Sequence, residues 1–283
     1  MNQSEMIGTP VDQMDISQMK SELTTLYGIK DFSQCLEVDD LRKRLSSVRD
    51  KSPITHGLEY GSLLRIGNTT NPTGLVTFSH GLGDSAHGWE SAAYELASRL
   101  PHILFLLPTA PTQKVTINYG MSGTSWYDIL NEIGSANAPH QQDAPGVLRS
   151  VDYLRSLAHV ATRQFKIQSQ RVVYAGFSQG AAISLATGLI GHFAASGVVC
   201  MSGYLPCADE VLPRIRNRET PIAMFHGLVD NIVPFELAKK TKHILQTEGQ
   251  VTSQIDLFEY NMPHLAVPEE LDEVCKFIAR VLP

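Results

Sequence analysis

The sequence lacks long apolar runs and any strong excess of basic residues. No apolar run approaches the roughly 20 residues that a membrane-spanning helix requires. The formal net charge is −6 over 283 residues, which makes nucleic acid an unlikely partner because nucleic-acid binding needs a basic surface. The stretch Met1–Lys20 is polar and acidic and has no signal-peptide pattern. We therefore expect a cytoplasmic protein with no transmembrane segment.

Cysteine is also scarce. Cys35, Cys200, Cys207 and Cys275 are far apart, form no Cys-x-x-Cys pair and have no histidine at a zinc-binding spacing. The pattern predicts free thiols of a reducing compartment rather than a disulfide framework. We expect no metal site and no cofactor.

From Gly57 onward, short apolar runs alternate with longer amphipathic stretches. Strands that alternate with helices form βαβ units, so we predict an α/β fold with a mostly parallel sheet and helices on both faces. The predicted strands are Leu75–Phe78, Ile103–Leu107, Arg171–Ala175, Gly197–Met201, Ile222–Phe225 and Gln254–Phe258. The predicted helices are Trp89–Arg99, Gly146–Arg163, Gln179–Ile190, Phe235–Gln246 and Glu269–Val281. Ligands of such sheets bind at the carboxyl ends of the strands.

The first 52 residues have a different pattern. We expect a disordered tail over residues 1–13, a small helical hairpin over residues 14–52, and a catalytic domain over residues 53–283. The polar junction Arg49–Pro53 is typical of a boundary that few contacts cross.

Within the hairpin, apolar residues from Ile16 to Leu26 share one helical face, and Gly28 is placed to cap the end of that helix. A second helix is predicted over Leu41–Val48, with Asp39 or Asp40 as its N-cap.

The segment Gly176–Gly180 (Gly-Phe-Ser-Gln-Gly) matches the pattern G-x-S-x-G. It directly follows the apolar run Arg171–Ala175 and precedes a stretch typical of a helix. Strand, sharp turn and helix in this order form a nucleophile elbow, in which the strained turn requires small neighbours of the serine. An idle serine in a glycine-rich turn would also match the pattern, but the context favours Ser178 as a nucleophile.

A serine nucleophile needs a base, and in α/β-hydrolases the chain order is serine, acid, histidine. The histidines after Ser178 are His192, His226, His243 and His264. Of these, His264 lies in the loop after the last predicted strand, where the base should be. Asp230 is the only carboxylate in the loop after the preceding strand, so we expect it to orient the imidazole. His226 is expected to stabilise that loop.

An oxyanion hole requires backbone donors beside the serine. The apolar strand Leu75–Phe78 opens into a loop bracketed by Gly81 and Gly83. We therefore assign the N–H groups of Leu82 and Gln179 as the two donors. His80 precedes the nucleophile in the chain, and we expect its imidazole to hold this loop.

At this point the sequence resembles the acyl-protein thioesterase and lysophospholipase family of small carboxylesterases. The matching segments are His80–Trp89, Pro108–Pro111, Ser125–Asp128, Gly176–Gly180, Met201–Pro206, His226–Pro234 and His264. The resemblance implies an α/β-hydrolase fold and hydrolysis of fatty-acyl thioesters through an acyl-enzyme, with S-acylated proteins as substrates. Two alternatives stay open: a broad carboxylesterase or lysophospholipase that acts on oxygen esters, and an interaction scaffold without catalysis.

The segment Thr112–Gly123 fits a loop that covers the substrate. Its apolar residues, among them Val115, Ile117 and Met121, would line an acyl channel, and Trp126 is expected to join them. An alternating edge strand would give the same pattern.

The N-terminal segment resembles, more weakly, a SAP-like helix-extended-helix module, and such modules bind DNA or proteins. Residues 1–52 hold seven Lys or Arg and nine Asp or Glu, a net charge of 7 − 9 = −2. This charge disfavours DNA and leaves a protein partner as the expectation.

Overall fold

The computed structural model describes residues 9–131, 142–191 and 194–283. The strands are β1 (Leu63–Gly67), β2 (Gly74–Ser79), β3 (Ile103–Pro108), β4 (Thr112–Val115), β5 (Met121–Thr124), β6 (Val172–Phe177), β7 (Gly197–Met201), β8 (Ile222–Gly227) and β9 (Ile255–Tyr260). The α-helices are α1 (Ile16–Tyr27), α2 (Val38–Lys51), α3 (Glu90–Arg99), α4 (Ala144–Phe165), α5 (Gln179–Ile190), α6 (Ala208–Val211), α7 (Phe235–Thr247) and α8 (Pro268–Val281).

Seven strands form one sheet in the order β1-β3-β2-β6-β7-β8-β9. All neighbours are parallel except β1, which pairs antiparallel with β3. The six predicted strands are present, and the predicted parallel sheet is confirmed. Strand β1 was not predicted, because its run of Leu63, Leu64 and Ile66 is short and its partner lies about 40 residues along the chain.

Helices cover both faces of the sheet, as predicted. Successive residues of one strand point to opposite faces. Leu75 accordingly belongs to the apolar cluster that includes residues of α4, α5 and α7, whereas Val76 belongs to the cluster that includes residues of α3 and α8. Both faces of the central strands are therefore apolar, as expected for a covered parallel sheet. Among the described residues, no helix is both long and apolar enough to cross a membrane.

Helices α1 and α2 form the N-terminal hairpin. The carboxylate of Asp15 caps α1, which ends at Gly28 in the left-handed conformation. The N-cap of α2 is Glu37, so the prediction of Asp39 or Asp40 is wrong. Asp40 lies in the first turn, where its carboxylate accepts hydrogen bonds from the backbone N–H groups of Leu36 and Glu37.

Residues 1–8 of the predicted disordered tail lie outside the described residues. The rest of that prediction is wrong, because residues 11–13 form a turn of 3-10 helix and Arg49 donates a hydrogen bond to the carbonyl of Thr9. This turn packs beside Met14, which is buried in the hairpin core.

The hairpin packs against α4 of the body, by which we mean residues 53–283. The carbonyl of Leu26 accepts hydrogen bonds from the N–H groups of Thr55 and His56, at 2.9 and 2.8 Å. The N–H of Ile54 donates to Ser156 Oγ at 2.7 Å. The prediction that few contacts cross the junction is therefore wrong, because backbone groups on both sides of it are paired.

Candidate active site

Ser178 lies in the turn between β6 and α5. Its backbone has φ 55° and ψ −120°, the strained conformation of a nucleophile elbow. A Cβ on Gly180 would lie 2.1 Å from the carbonyl oxygen of Ser79, and one on Gly176 would lie 2.5 Å from that of Gly180. Glycine is therefore required on both sides of the serine, because the turn packs directly against the end of β2.

Three side chains that are distant in sequence meet at this turn. His264 Nε2 lies 2.9 Å from Ser178 Oγ, and His264 Nδ1 lies 2.7 Å from Asp230 Oδ2. Ser178 follows β6, Asp230 follows β8 and His264 follows β9, so all three lie at the carboxyl edge of the sheet. The structure brings together the three residues predicted as nucleophile, acid and base.

Both carboxylate oxygens of Asp230 take part in hydrogen bonds. Oδ1 accepts hydrogen bonds from the N–H groups of Ile232 and Val233, each at 2.9 Å, and Oδ2 faces His264. Burial opposes ionisation, but the hydrogen bonds from His264, Val233 and Ile232 outweigh it and lower the pKa of Asp230. An ionised Asp230 accepts the Nδ1 proton of His264, which leaves Nε2 free to accept a proton from the serine.

Among the described residues, no other histidine makes a hydrogen bond to Ser178. His226 is buried, and its Nε2 lies 2.7 Å from the carbonyl oxygen of Val233 and 3.5 Å from Asp230 Oδ2. Burial lowers the pKa of His226, so the neutral ring donates to the loop of Asp230, in line with a stabilising role. His243 is exposed on α7, and His192 lies outside the described residues.

The two backbone groups assigned to the oxyanion hole flank the serine. Gln179 is the first residue of α5, where an N–H has no partner within the helix. The loop that carries Leu82 passes close to the elbow, since a Cβ on Gly81 would lie 3.5 Å from that of Ser178. Among the described residues, neither of these two N–H groups donates a hydrogen bond. Both are available to a ligand.

His80 holds the Leu82 loop. Its Nε2 accepts a hydrogen bond from the N–H of Ala110 at 3.0 Å, so Nδ1 carries the proton and donates to the carbonyl of Gly81 at 2.6 Å. Burial lowers the pKa of His80, which favours this neutral form.

The side chain of Gln179 makes contacts that the sequence did not indicate. Its Oε1 accepts from the N–H of Trp126 at 2.9 Å, and its Nε2 donates to the carbonyl of Tyr127 at 2.7 Å. The indole of Trp126 in turn donates to the carbonyl of His80 at 2.8 Å. The two oxyanion-hole segments are thus connected through Trp126. The only available signal was an amide side chain beside the nucleophile, which is too common to identify such a network.

The predicted channel residues separate into two groups. Trp126 and Val115 are 2% and 0% exposed, so their side chains are closed off from solvent. That they line an acyl channel stays a prediction. Met121 is 63% exposed and Ile117 is half-buried. The segment forms a separate antiparallel ribbon, β4 with β5, rather than an edge strand of the main sheet.

Exposed apolar side chains lie beside the triad residues in the chain. Leu228 and Val229 precede Asp230, Ile232 follows it, and Leu265 follows His264. We call these four residues the apolar rim. Four aliphatic residues in loops at the active-site edge are a signal of such a surface that the sequence itself carries.

A seven-stranded, mostly parallel sheet with an elbow serine, a histidine and a buried aspartate defines a serine hydrolase of the α/β-hydrolase fold. The family model of phospholipases and carboxylesterases matches residues 66–282. The chain belongs to this phospholipase/carboxylesterase family. The match leaves out α1 and α2.

Several relatives are acyl-protein thioesterases. Acyl-protein thioesterase 1 of Yarrowia lipolytica is 37% identical over 211 residues, which cover 73% of this chain and 91% of the relative. A homologue from Dictyostelium discoideum is 36% identical over 216 residues, 76% of this chain and 93% of its own. The crystal structure of Zea mays acyl-protein thioesterase 2 has a TM-score of 0.68 and 29% identity, and covers 79% of this chain and 100% of its own.

Proposed function

We propose that this protein hydrolyses fatty-acyl thioesters and removes acyl groups from S-acylated proteins. The observation that carries the chemistry is the hydrogen-bonded series from Ser178 through His264 to Asp230, with distances of 2.9 and 2.7 Å. These distances lie within the range that general-base catalysis requires.

In the proposed reaction, Ser178 Oγ attacks the acyl carbon while its proton passes to His264 Nε2. The oxyanion that forms accepts hydrogen bonds from the N–H groups of Leu82 and Gln179. His264 then gives its proton to the departing thiolate, which leaves an acyl-enzyme. Water, deprotonated by His264, then attacks the same carbon. The bond to Ser178 Oγ breaks, His264 returns the proton to that oxygen, and the fatty acid is released.

Two observations support a fatty-acyl substrate. The apolar rim places four exposed aliphatic side chains beside Asp230 and His264, and Met121 adds a fifth on the ribbon. An acyl chain that contacts them would remove apolar surface from water, at roughly 25 cal/mol per Å². The relatives named acyl-protein thioesterase support the same substrate class.

The main alternative is a carboxylesterase or lysophospholipase that uses the same groups on oxygen esters, as the family description allows. The deciding experiment compares kcat/KM on a palmitoylated peptide thioester with kcat/KM on the matched oxygen ester and on a lysophospholipid. We expect the thioester to be preferred. A preference for the lysophospholipid would overturn the proposal.

A non-catalytic scaffold is tested separately by a fluorophosphonate probe, which reacts only with an activated serine. We expect stoichiometric labelling of the full chain at Ser178. Absence of labelling would mean that the triad geometry is not used for catalysis.

We also propose a cytoplasmic location, because all four cysteines are free thiols and disulfides are rare in that compartment. For the N-terminal hairpin we propose a protein partner rather than nucleic acid, since residues 1–52 carry a net charge of 7 − 9 = −2.

A further inference from the structure

A cavity of about 210 Å³ lies between the N-terminal hairpin and the body. Tyr27 and Arg49 contribute from the hairpin, and Ile54, α4 and β6 contribute from the body. An engineered cavity of about 150 Å³ holds a benzene ring. This cavity therefore has room for a six-carbon body and a small polar group.

The cavity lies away from the active site. Val172, which lines it, is the first residue of β6, whereas Ser178 follows the last. Six strand residues separate the two ends by about 20 Å. Its hairpin wall also lies outside residues 66–282, the part that matches the family.

The walls combine an apolar surface with the carboxylates of Glu22 and Asp152 and with several hydrogen-bond donors. Three of these donors have no hydrogen-bond partner among the described residues. Ala158 and Val172 are among the apolar lining residues. Tyr27 and Tyr174 also line the cavity, and neither hydroxyl makes a hydrogen bond to a described residue. Tyr174 is only 8% exposed. Burial raises the pKa of Tyr174 to about 12, so its hydroxyl keeps its proton and can donate.

The third donor is the guanidinium of Arg155. Its Nη1 lies 3.6 Å from Asp152 Oδ1, an ion pair that is too long for a hydrogen bond. Asp152 Oδ2 is already 3.2 Å from His56 Nε2. The neighbouring pair differs, because Arg49 makes two 2.7 Å hydrogen bonds to Glu22. The guanidinium N–H groups of Arg155 are therefore available to donate hydrogen bonds to a ligand in the cavity.

We propose that this cavity binds a small carboxylate with an apolar body of about six carbons. The carboxylate accepts hydrogen bonds from Arg155, Tyr174 and Tyr27, and the body contacts Ile54, Ala158 and Val172. A carboxylate matches these three lining residues because it only accepts hydrogen bonds, whereas each of them can donate. Such a ligand bridges the hairpin and the body, so its binding stabilises their contact.

The test uses 4-fluorobenzoate as the probe and ¹⁹F NMR titration of the full-length protein. We expect saturable binding that Arg155→Gln weakens by about tenfold or more and that Tyr174→Phe weakens by a smaller factor. Ala158→Leu fills the cavity and should abolish binding. Arg163→Gln is the matched control, because it removes the same charge from an exposed site on the same helix and should leave affinity unchanged.

Two further comparisons make the result decisive. Ser178→Ala should bind the probe as the unmodified chain does, because the site is separate from the elbow. The neutral analogue 4-fluorobenzyl alcohol should bind about tenfold more weakly. Equal binding of the alcohol, equal binding by Arg155→Gln, loss in Ser178→Ala, or no saturation below about 10 mM would each overturn the proposal.

Discussion

Among the described residues, the N-terminal hairpin and the body each bury one glutamate, and they do so in opposite ways. Glu22 in the hairpin is 1% exposed and forms two hydrogen bonds of 2.7 Å with Arg49. Glu270 in the body is 0% exposed, and among the described residues neither of its carboxylate oxygens accepts a hydrogen bond of good geometry, although the backbone N–H of Val267 acts to lower its pKa. Burial raises the pKa of Glu270 to about 8. In the hairpin, the charge of the buried Glu22 is balanced by Arg49. In the body, burial without a cation favours the protonated, neutral form of Glu270.

The difference follows from the size of the two cores. Five buried apolar residues form the hairpin core, namely Met14, Met19, Leu23, Leu41 and Leu45. The body has an apolar cluster on each face of a seven-stranded sheet. A small core contributes little stability, so an unpaired charge there would unfold it, whereas a large core tolerates one unfavourable group.

The largest expected effect is on the rate of hydrolysis, because all of the proposed catalytic residues lie in the body and none lies in the hairpin. Ser178→Ala should lower thioester hydrolysis by about 10⁴–10⁶-fold and remove fluorophosphonate labelling, with an unchanged melting temperature. Ser98→Ala, at an exposed position of α3, is the control and should have full activity. Labelling that survives in Ser178→Ala would place the nucleophile elsewhere.

The next effect concerns the orientation of the base. Asp230→Asn should lower kcat by about 10⁴-fold, because the amide favours the wrong tautomer of His264. Steady-state kinetics on a small thioester measures this, with the exposed Asp209→Asn as control. A loss below tenfold would mean that another carboxylate orients the histidine.

The third prediction tests the paired glutamate. Glu22→Ala leaves Arg49 without its carboxylate and should destabilise the hairpin by about 3–5 kcal/mol. Hydrogen exchange read by mass spectrometry should show α1 and α2 losing protection while β6 and α5 keep theirs. Asp39→Ala breaks the exposed pair with Arg42 and should cost less than about 1 kcal/mol. If Glu22→Ala and Asp39→Ala destabilise the hairpin equally, the buried pair is no more important to its stability than the exposed pair.

The fourth prediction tests the unpaired glutamate. The folded pKa of Glu270 lies above its ordinary value of 4.5, so the folded state holds a proton that the unfolded state releases. Stability should therefore be full below about pH 4.5 and decline until about pH 8. Glu270→Gln should remove this decline and stabilise the protein at pH 7 by an amount of the order of 3 kcal/mol.

Denaturant unfolding from pH 5 to pH 8 measures the effect, because other carboxylates titrate mainly below this window. Glu269→Gln is the matched control, since Glu269 is the exposed neighbour on α8. The same pH slope in Glu270→Gln as in the control would show that Glu270 is ionised in the folded state.

The smallest effect on rate is expected when the hairpin is removed. A chain that begins at Pro53 should turn over a small acyl ester within tenfold of the full-length rate, because Leu82, Gln179 and the three triad residues all lie in the body. Its melting temperature should fall, since α4 loses the contacts of α2. Precipitation, or a loss of more than tenfold, would show that the hairpin is an integral part of the enzyme.

Local patterns in the sequence were enough to identify most of the body. The elbow at Ser178 is encoded within five residues, and each predicted strand is a run of four or five residues that is mostly apolar. The chain order then selected Asp230 and His264 from the loops after the last two strands. These inferences needed no distances, because a parallel sheet aligns the ends of its strands at one edge.

The sequence alone determined the class of fold, the elbow, and the loops that carry the acid and the base, because each depends on residues close together in the chain. Only the tertiary structure decided that β1 joins the sheet, that Trp126 and Val115 are buried, and that the hairpin packs on α4. Each of these results depends on contacts between residues far apart in the chain. Packing of side chains determines whether such contacts form, and a short pattern of apolar residues does not specify how side chains from distant segments pack.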